Sequence, residues 1–341
     1  MNNNKENKMS LAFRTVVLAS MVALGASGAM AQEKKTLIVA EPLHSTGYLP
    51  LYVAIQKGFL AEENLDVKIL TVESGAGHTN ATLSGQAFAF IGGPEHNAFA
   101  KIKGGELRGI VNVVNRGNVY YVAKKGMEPK PGEDLASYFK GKSVALNFYG
   151  GTPYSITLYM LNKWKLNPKS DVTLKEMATG AIIATVKAGA AQIAVTTEPV
   201  LTRGVNEGIW SEPILNVPQD LGPYAYSTLN VRLASIKEDP KTVAAFVRGI
   251  IKGLKFTDTH HEETLAIAKK EFPTMSLEDL KATIDRSFAD SIWSKDGMIS
   301  PESWKTGEAV VLEAGILKKP VAYDDIIDMQ FVKSTQASIA Q

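Results

Sequence analysis

Thr36-Leu37-Ile38-Val39-Ala40, followed by the loop Glu41–Gly47 and by Asp66-Val67-Lys68-Ile69-Leu70, sets a pattern that recurs down the chain. The first run is aliphatic and β-branched without polar alternation, as in a parallel strand covered on both faces. Between the two runs, residues 48–63 predict one helix, with Leu49, Val53, Ile55 and Phe59 as apolar positions. The same alternation continues. Ser74-Gly75-Ala76-Gly77-His78 opens a helix that closes at Gly85, Phe88-Ala89-Phe90-Ile91 is a strand, and Gly92-Gly93-Pro94-Glu95 opens the next helix. Residues 109–115 form another strand. Short strands alternating with helices mean βαβ units and a mostly parallel sheet.

The pattern then restarts. Strands are expected at 119–123, 142–146, 172–174, 192–195 and 213–218, with helices from Ser155 to Trp164, from Gly180 to Ala188 and from Glu198-Pro199. Residues 226–232 form a further strand, and the rest is almost all helix. Asp239-Pro240 supplies a cap and a first-turn proline, with Val243, Phe246, Val247, Ile250 and Leu254 on one face. Ser276 with Asp279 forms a capping box, Ser300-Pro301 starts another helix, and 323–331 is read as the last. The expected fold class is therefore α/β with two lobes, each a mostly parallel sheet flanked by helices, plus a helical C-terminal segment. Residues 32–118 and 224–341 form the first lobe and residues 119–223 an inserted second lobe. Two chain crossings, near 116–121 and 221–226, form the hinge.

Composition sets limits on function. The 341 residues carry 37 Lys and Arg against 35 Asp and Glu, and no Cys. That balance argues against a nucleic-acid partner, which selects a basic surface. Without Cys there are no disulfides, thiol nucleophiles, Cys-ligated zinc or iron–sulfur clusters. Lys5, Lys8 and Arg14 precede an uncharged run from Thr15 that ends Ala29-Met30-Ala31. This is the pattern of a secretory signal peptide over residues 1–31, with cleavage before Gln32. Its removal takes three basic side chains and one acidic, leaving 34 of each sign. No later stretch is apolar enough to span a bilayer.

Several blocks resemble one family in order: Tyr48-Leu49-Pro50-Leu51-Tyr52-Val53-Ala54, Lys57-Gly58-Phe59-Leu60-Ala61-Glu62-Glu63-Asn64-Leu65-Asp66-Val67, Leu83-Ser84-Gly85-Gln86, Phe139-Lys140-Gly141-Lys142-Ser143-Val144-Ala145, and Ala188-Gly189 through Thr197-Glu198-Pro199. They resemble the nitrate, sulfonate, taurine and thiamine-precursor group of periplasmic solute-binding proteins. The resemblance implies a type II-like binding-protein fold, while the signal peptide points to the periplasm and the neutral charge with no coiled-coil stripe points to a monomer. The resemblance also implies a small-molecule ligand, and an inner-membrane ABC permease with its ATPase as partners. Phe88 and Gln192 stand where that group often has Asp, and both changes read as repacking.

In open α/β sheets ligands sit beyond the carboxyl ends of the strands. Five turns end there, at 44–47, 74–78, 92–95, 150–152 and 196–198. Glycine lets backbone N–H groups approach a solute, and helix starts offer unpaired donors. The candidate ligand-binding residues are Ser45, Thr46, Tyr48, Gly77, His78, Glu95, Arg116, Tyr149, Gly151, Thr152, Thr197, Glu198 and Tyr224. Thr152 also fits a simple helix cap, and Glu95 and Glu198 fit first-turn carboxylates. Phe148, Tyr154 and Tyr226 complete an aromatic group suited to a planar ligand. One Arg and two His against two Glu tilt the expectation towards a planar, heteroatom-bearing solute such as a pyrimidine; an alkanesulfonate or other organic anion is the alternative.

Rival readings are a pyrimidine-synthase-like enzyme, a metal-uptake protein using His44, His78, His96 and Glu95, and a periplasmic ligand sensor. The first uses a Cys-rich iron-binding segment that this chain lacks, and no nucleophile–base pair is evident. The sequence calls for no cofactor and no catalytic residue.

Overall fold

The computed structural model describes residues 33–339. The proposed signal peptide lies outside the described residues. Two five-stranded sheets form the framework. The first contains β1 (Lys35–Glu41), β2 (Leu65–Thr71), β3 (Ala89–Gly92), β4 (Leu107–Arg116) and β10 (Pro223–Arg232), in the order β2-β1-β3-β10-β4. The second contains β5 (Tyr120–Ala123), β6 (Ser143–Leu146), β7 (Thr173–Glu176), β8 (Ile193–Thr196) and β9 (Leu215–Asn216), in the order β7-β6-β8-β5-β9.

Each sheet runs four strands one way and one against them. In the first, β10 is antiparallel to both β3 and β4. In the second, β5 is antiparallel to both β8 and β9. The opposed strand is in each case the one that begins just after the chain crosses between sheets, so it enters from the far end. The parallel strands return through helices, as βαβ connections require.

The helices that position the site are α1 (Leu49–Gln56), α2 (Gly77–Leu83), α3 (Glu95–Lys101), α4 (Thr152–Lys163) and α5 (Val200–Asn206). Towards the C-terminus come α6 (Pro240–Thr259), α7 (Leu277–Ala289) and α8 (Pro301–Glu313). The α6 stripe packs as its spacing predicts: Val243, Phe246, Val247, Ile250 and Leu254 are all buried. Each such side chain contributes about 1.5–3 kcal/mol by leaving water. Asp239, Ser276 and Ser300 cap α6, α7 and α8, each accepting a backbone N–H three residues on. Phe88 packs edge-on against Phe246, and the Gln192 amide oxygen accepts the Ser143 N–H.

Three local expectations are corrected. The helix expected over 48–63 is broken: a 3-10 turn at Thr46–Tyr48 leads into α1, and Gly58, with φ of 78°, separates a short helix at Phe59–Glu62. No other residue adopts that left-handed backbone as cheaply. The strand expected at 213–218 is only Leu215–Asn216, because Asn216 caps a helix at Val217–Leu221 with Pro218 in its first turn. The last helix is Gln330–Ile339, and Tyr323–Asp325 is a single 3-10 turn.

Candidate functional site

A cavity of about 60 Å³ lies between the two sheets, at the carboxyl ends of their parallel strands. Pro42 and Leu43 follow β1. Ser74 and Gly75 follow β2, and Gly92 ends β3. Asn147 and Phe148 follow β6, with Gly151, Thr152 and Pro153 at the start of α4 and Thr179 after β7. Tyr226 and Ser227 enter from β10, where the register with β4 shifts on either side of Ser227. Such a bulge re-aims side chains out of the regular alternation.

Four of the thirteen sequence candidates line this cavity: Tyr48, His78, Gly151 and Thr152. Tyr48 is buried, and burial raises its phenol far above the usual range, with Ser227 beside it opposing the rise. His78 is 1% exposed and neither ring nitrogen has a protein partner. Burial, and then the neighbouring His96, hold it well below the usual imidazole range, so its ring is neutral. A neutral imidazole presents one donor and one acceptor.

Thr152 does not cap its helix. Gly151 occupies the cap position and Thr152 is the first helical residue, leaving its hydroxyl free to donate to Glu95 Oε1 at 2.6 Å. Glu95 is thus next to the cavity wall without lining it, with Oε2 unpartnered. Burial lifts this carboxyl above its ordinary range, while His96 and the Thr152 hydroxyl oppose the rise.

The other candidates sit elsewhere for identifiable reasons. Ser45 caps the 3-10 turn through the Gly47 N–H and donates to the Glu198 carbonyl at 3.0 Å. Thr46 is enclosed in the same turn, and Gly77 turns its N–H to Ser74 Oγ. Arg116 ends β4 opposite Pro223, beside the crossing. Tyr149 is 56% exposed because its backbone N–H is held outward by Glu176 and its ring packs on Tyr154. Thr197 and Glu198 border a separate cleft with His44, Glu271 and Phe272. Glu198 is spoken for by Arg286 at 3.1 Å and by the Thr202 hydroxyl and N–H. Tyr224 is fully buried against Gly307. Of the aromatic group, Tyr48, Phe148 and Tyr226 face the cavity, while Tyr149, Tyr154 and Tyr224 do not.

His44 lies apart from His78 and His96, stacked on Tyr52 and bonded to Glu41. No cluster of three His, Asp or Glu side chains with metal-binding geometry occurs among the described residues.

Sequence reasoning missed Glu73, Asn147, Thr179 and Ser227. Thr179 follows β7 just as the five chosen turns follow their strands, so the strand-end rule applied once more reaches it. Ser227 carried no such signal, because only the register shift turns it inward.

Two mixed sheets with a cavity across their facing strand ends are the architecture of the periplasmic binding proteins. A family model described as NMT1/THI5 like matches residues 45–264, and the chain belongs to that family. The chain is 25% identical over 299 residues to the "Putative binding protein YtlA" of Bacillus subtilis, covering 86% of this chain and 88% of that one. It is 24% identical over 334 residues to the "Riboflavin-binding protein RibY" of Chloroflexus aurantiacus, covering 93% and 92%. A solved structure from Staphylococcus aureus, the ligand-binding component of an ABC-type import system with zinc bound, superposes with a TM-score of 0.72 at 15% identity, over 89% of this chain and 99% of that one.

Proposed function

We propose that this protein is the periplasmic solute-binding component of an ABC importer. It captures one small organic molecule in the cavity between its sheets and changes no bond in it. The observation that carries this reading is the lining itself. Side chains and glycine backbone from both sheets converge on one space, so a solute there makes its full set of contacts only when the two halves are together. The halves act as lobes, spanning 32–118 with 224–341 and 119–223, that turn about the crossings near Gly117 and Gly222. The closed form is what the inner-membrane permease and its ATPase recognise. Export through the N-terminal signal places the monomer in the periplasm.

The lining favours a planar, heteroatom-bearing solute. Tyr48, Phe148 and Tyr226 supply ring faces and edges, while His78, Asn147, Thr152, Thr179 and Ser227 supply both donors and acceptors. Among the described residues no Lys or Arg lines the cavity, and Glu73 does. A compact oxyanion would meet backbone donors, the start of α4 and neutral side-chain donors but no cation, and these donors are what favours a sulfonate or carboxylate. The relative named for riboflavin supports the planar class.

The test is a thermal-shift panel of pyrimidines, small heteroaromatics, flavins, sulfonates and aromatic acids. A ligand bound only by the folded state raises the melting temperature, by mass action. The expected hits are small heteroaromatics, weakened by Tyr48→Ala and unaffected by Tyr149→Ala. A hit that is chemically converted would refute the binding role, and hits insensitive to Tyr48→Ala would move the site.

A further inference from the structure

His96 borders the cavity, yet it is 4% exposed and both its nitrogens are engaged by backbone carbonyls. Nδ1 lies 3.1 Å from the Gly93 carbonyl oxygen. Nε2 lies 3.3 Å from the Gly75 carbonyl oxygen and 3.1 Å from that of Gly150. All three partners accept and none donates. A neutral imidazole would turn a lone pair onto at least one of them, whereas the imidazolium donates at both ends. Gly93 and Gly75 belong to the first-sheet half and Gly150 to the second. The hydrogen bonds therefore bridge the cleft.

We propose that His96 is a positioning residue: its doubly protonated ring, with Glu95 beside it, is a proton-dependent clasp that holds the two lobes together over the solute.

Glu95 completes the clasp. Its Oε1 lies 4.0 Å from His96 Nδ1 and accepts the Thr152 hydroxyl from the opposite half at 2.6 Å. The adjacent pair thus reaches the turn 150–152 twice, once as donor and once as acceptor. The groups facing the pair are His78 on α2, 4.8 Å away ring to ring, and Tyr48, Tyr224 and Tyr226, whose phenols feel the Glu95 charge. Glu73 borders the same cavity. No Lys or Arg pairs with Glu95 among the described residues, so His96 is the cation available to it.

Opening the lobes carries the Gly150 carbonyl and Thr152 away and leaves Nε2 with half its acceptors. Closure therefore favours the protonated ring, and by reciprocity the proton favours closure. The sign follows: the closed form is favoured at low pH and lost as pH rises. One linked proton limits the change to about tenfold in the closed-to-open ratio per pH unit.

This inference rests on the cavity being the solute site, but its test needs no solute. The chain has no cysteine, so Gln86→Cys with Lys187→Cys, exposed and on opposite halves, carries two spin labels without background. Inter-label distances are measured from pH 5 to pH 9 with no solute added. The expected result is a closed population that falls with rising pH, becomes flat with pH in His96→Gln, and keeps its pH dependence in His44→Gln. Should His96→Gln fail to fold, Glu95→Gln, which takes away the anion beside the ring, must move the same profile to lower pH. A distance distribution that does not move with pH, or a profile that survives His96→Gln or vanishes with His44→Gln, overturns the clasp. Any of these leaves the solute panel, and the binding role it tests, standing.

Discussion

Gly75→Ala isolates closure from folding. A methyl group at residue 75 would sit 2.1 Å from the Tyr149 carbonyl oxygen, across the cleft. Ordinary contact begins at 3.4 Å, so the two loops must separate by about an ångström or more, and the obstacle is backbone that no rotamer change can move. That displacement takes the Gly150 carbonyl, now 3.1 Å from His96 Nε2, out of hydrogen-bond range. A hydrogen bond to a charged group is worth about 1.5–3 kcal/mol, so the closed form weakens by about 10- to 150-fold. In the proposed open form the two loops stand apart and leave room for the methyl group, and residue 75 is only half-buried, so global stability should change by less than about 0.5 kcal/mol. Gly180→Ala is the control, since nothing lies within 4 Å of its new carbon. The assay pairs affinity for the best solute of the panel with urea unfolding. Gly75→Ala binding as tightly as Gly180→Ala would refute the loop contact as a determinant of closure, and equal losses of stability and affinity would refute its separation from folding.

Other perturbations probe the framework. Phe246→Ala empties the middle of the α6 stripe and should cost about 3–5 kcal/mol in urea unfolding, with solute affinity at a permissive temperature unchanged. Arg286→Gln removes the cation beside buried Glu198, whose carboxyl burial already lifts above its ordinary range. The folded state then takes up its proton still more readily, so the loss of melting temperature should be larger at pH 7 than at pH 4.5. Burial works against a charged His44, but the Glu41 hydrogen bond and the charges of Glu41 and Glu271 outweigh it and raise the ring. Its stabilising contribution is thus complete below about pH 6.5 and fades as pH rises through the raised value, and His44→Asn should erase that part of the pH–stability curve.

The sequence disclosed the fold through local signals. The Thr36–Ala40 run, the α6 stripe and the caps Asp239, Ser276 and Ser300 each depend on neighbours within one element, so reading along the chain recovers them. The site was legible only to the level of turns. Tyr48, His78, Gly151 and Thr152 occupy the cavity because their turns end parallel strands. Whether a turn residue faces inward is decided by partners far away in sequence. Glu198 reads like Glu95, a buried acid at a strand end, but Arg286 on α7 claims it, while Glu95 meets Thr152 across the cleft. Tyr149 reads like Phe148, but the Glu176 carboxylate holds its N–H and turns its ring outward. Ser227 became a wall of the cavity only through a register shift in β10.

On the proposed hinge, the contacts between the halves divide into those that opening breaks and those about which it turns. Asp290, just beyond α7, accepts from three groups of the second half: the Tyr120 hydroxyl at 2.8 Å, and Asn216 Nδ2 and Gln219 Nε2 at 2.9 Å each. Tyr120 begins β5 directly after one crossing, and Asn216 and Gln219 immediately precede the other. A rotation about the crossings displaces these residues least, so their bonds persist whether the cleft is shut or open. The Glu95 and His96 bonds, to a turn that faces the cavity, do not. Asp290→Ala should therefore lower stability by about 1–3 kcal/mol, having stranded the buried Tyr120 hydroxyl, while half-buried Asn216 and exposed Gln219 turn to water. It should leave the pH dependence of the inter-label distance as it is in the unsubstituted chain. If Asp290→Ala instead shifts the closed population as strongly as His96→Gln does, Asp290 is part of the latch rather than the pivot, and the axis of motion lies elsewhere.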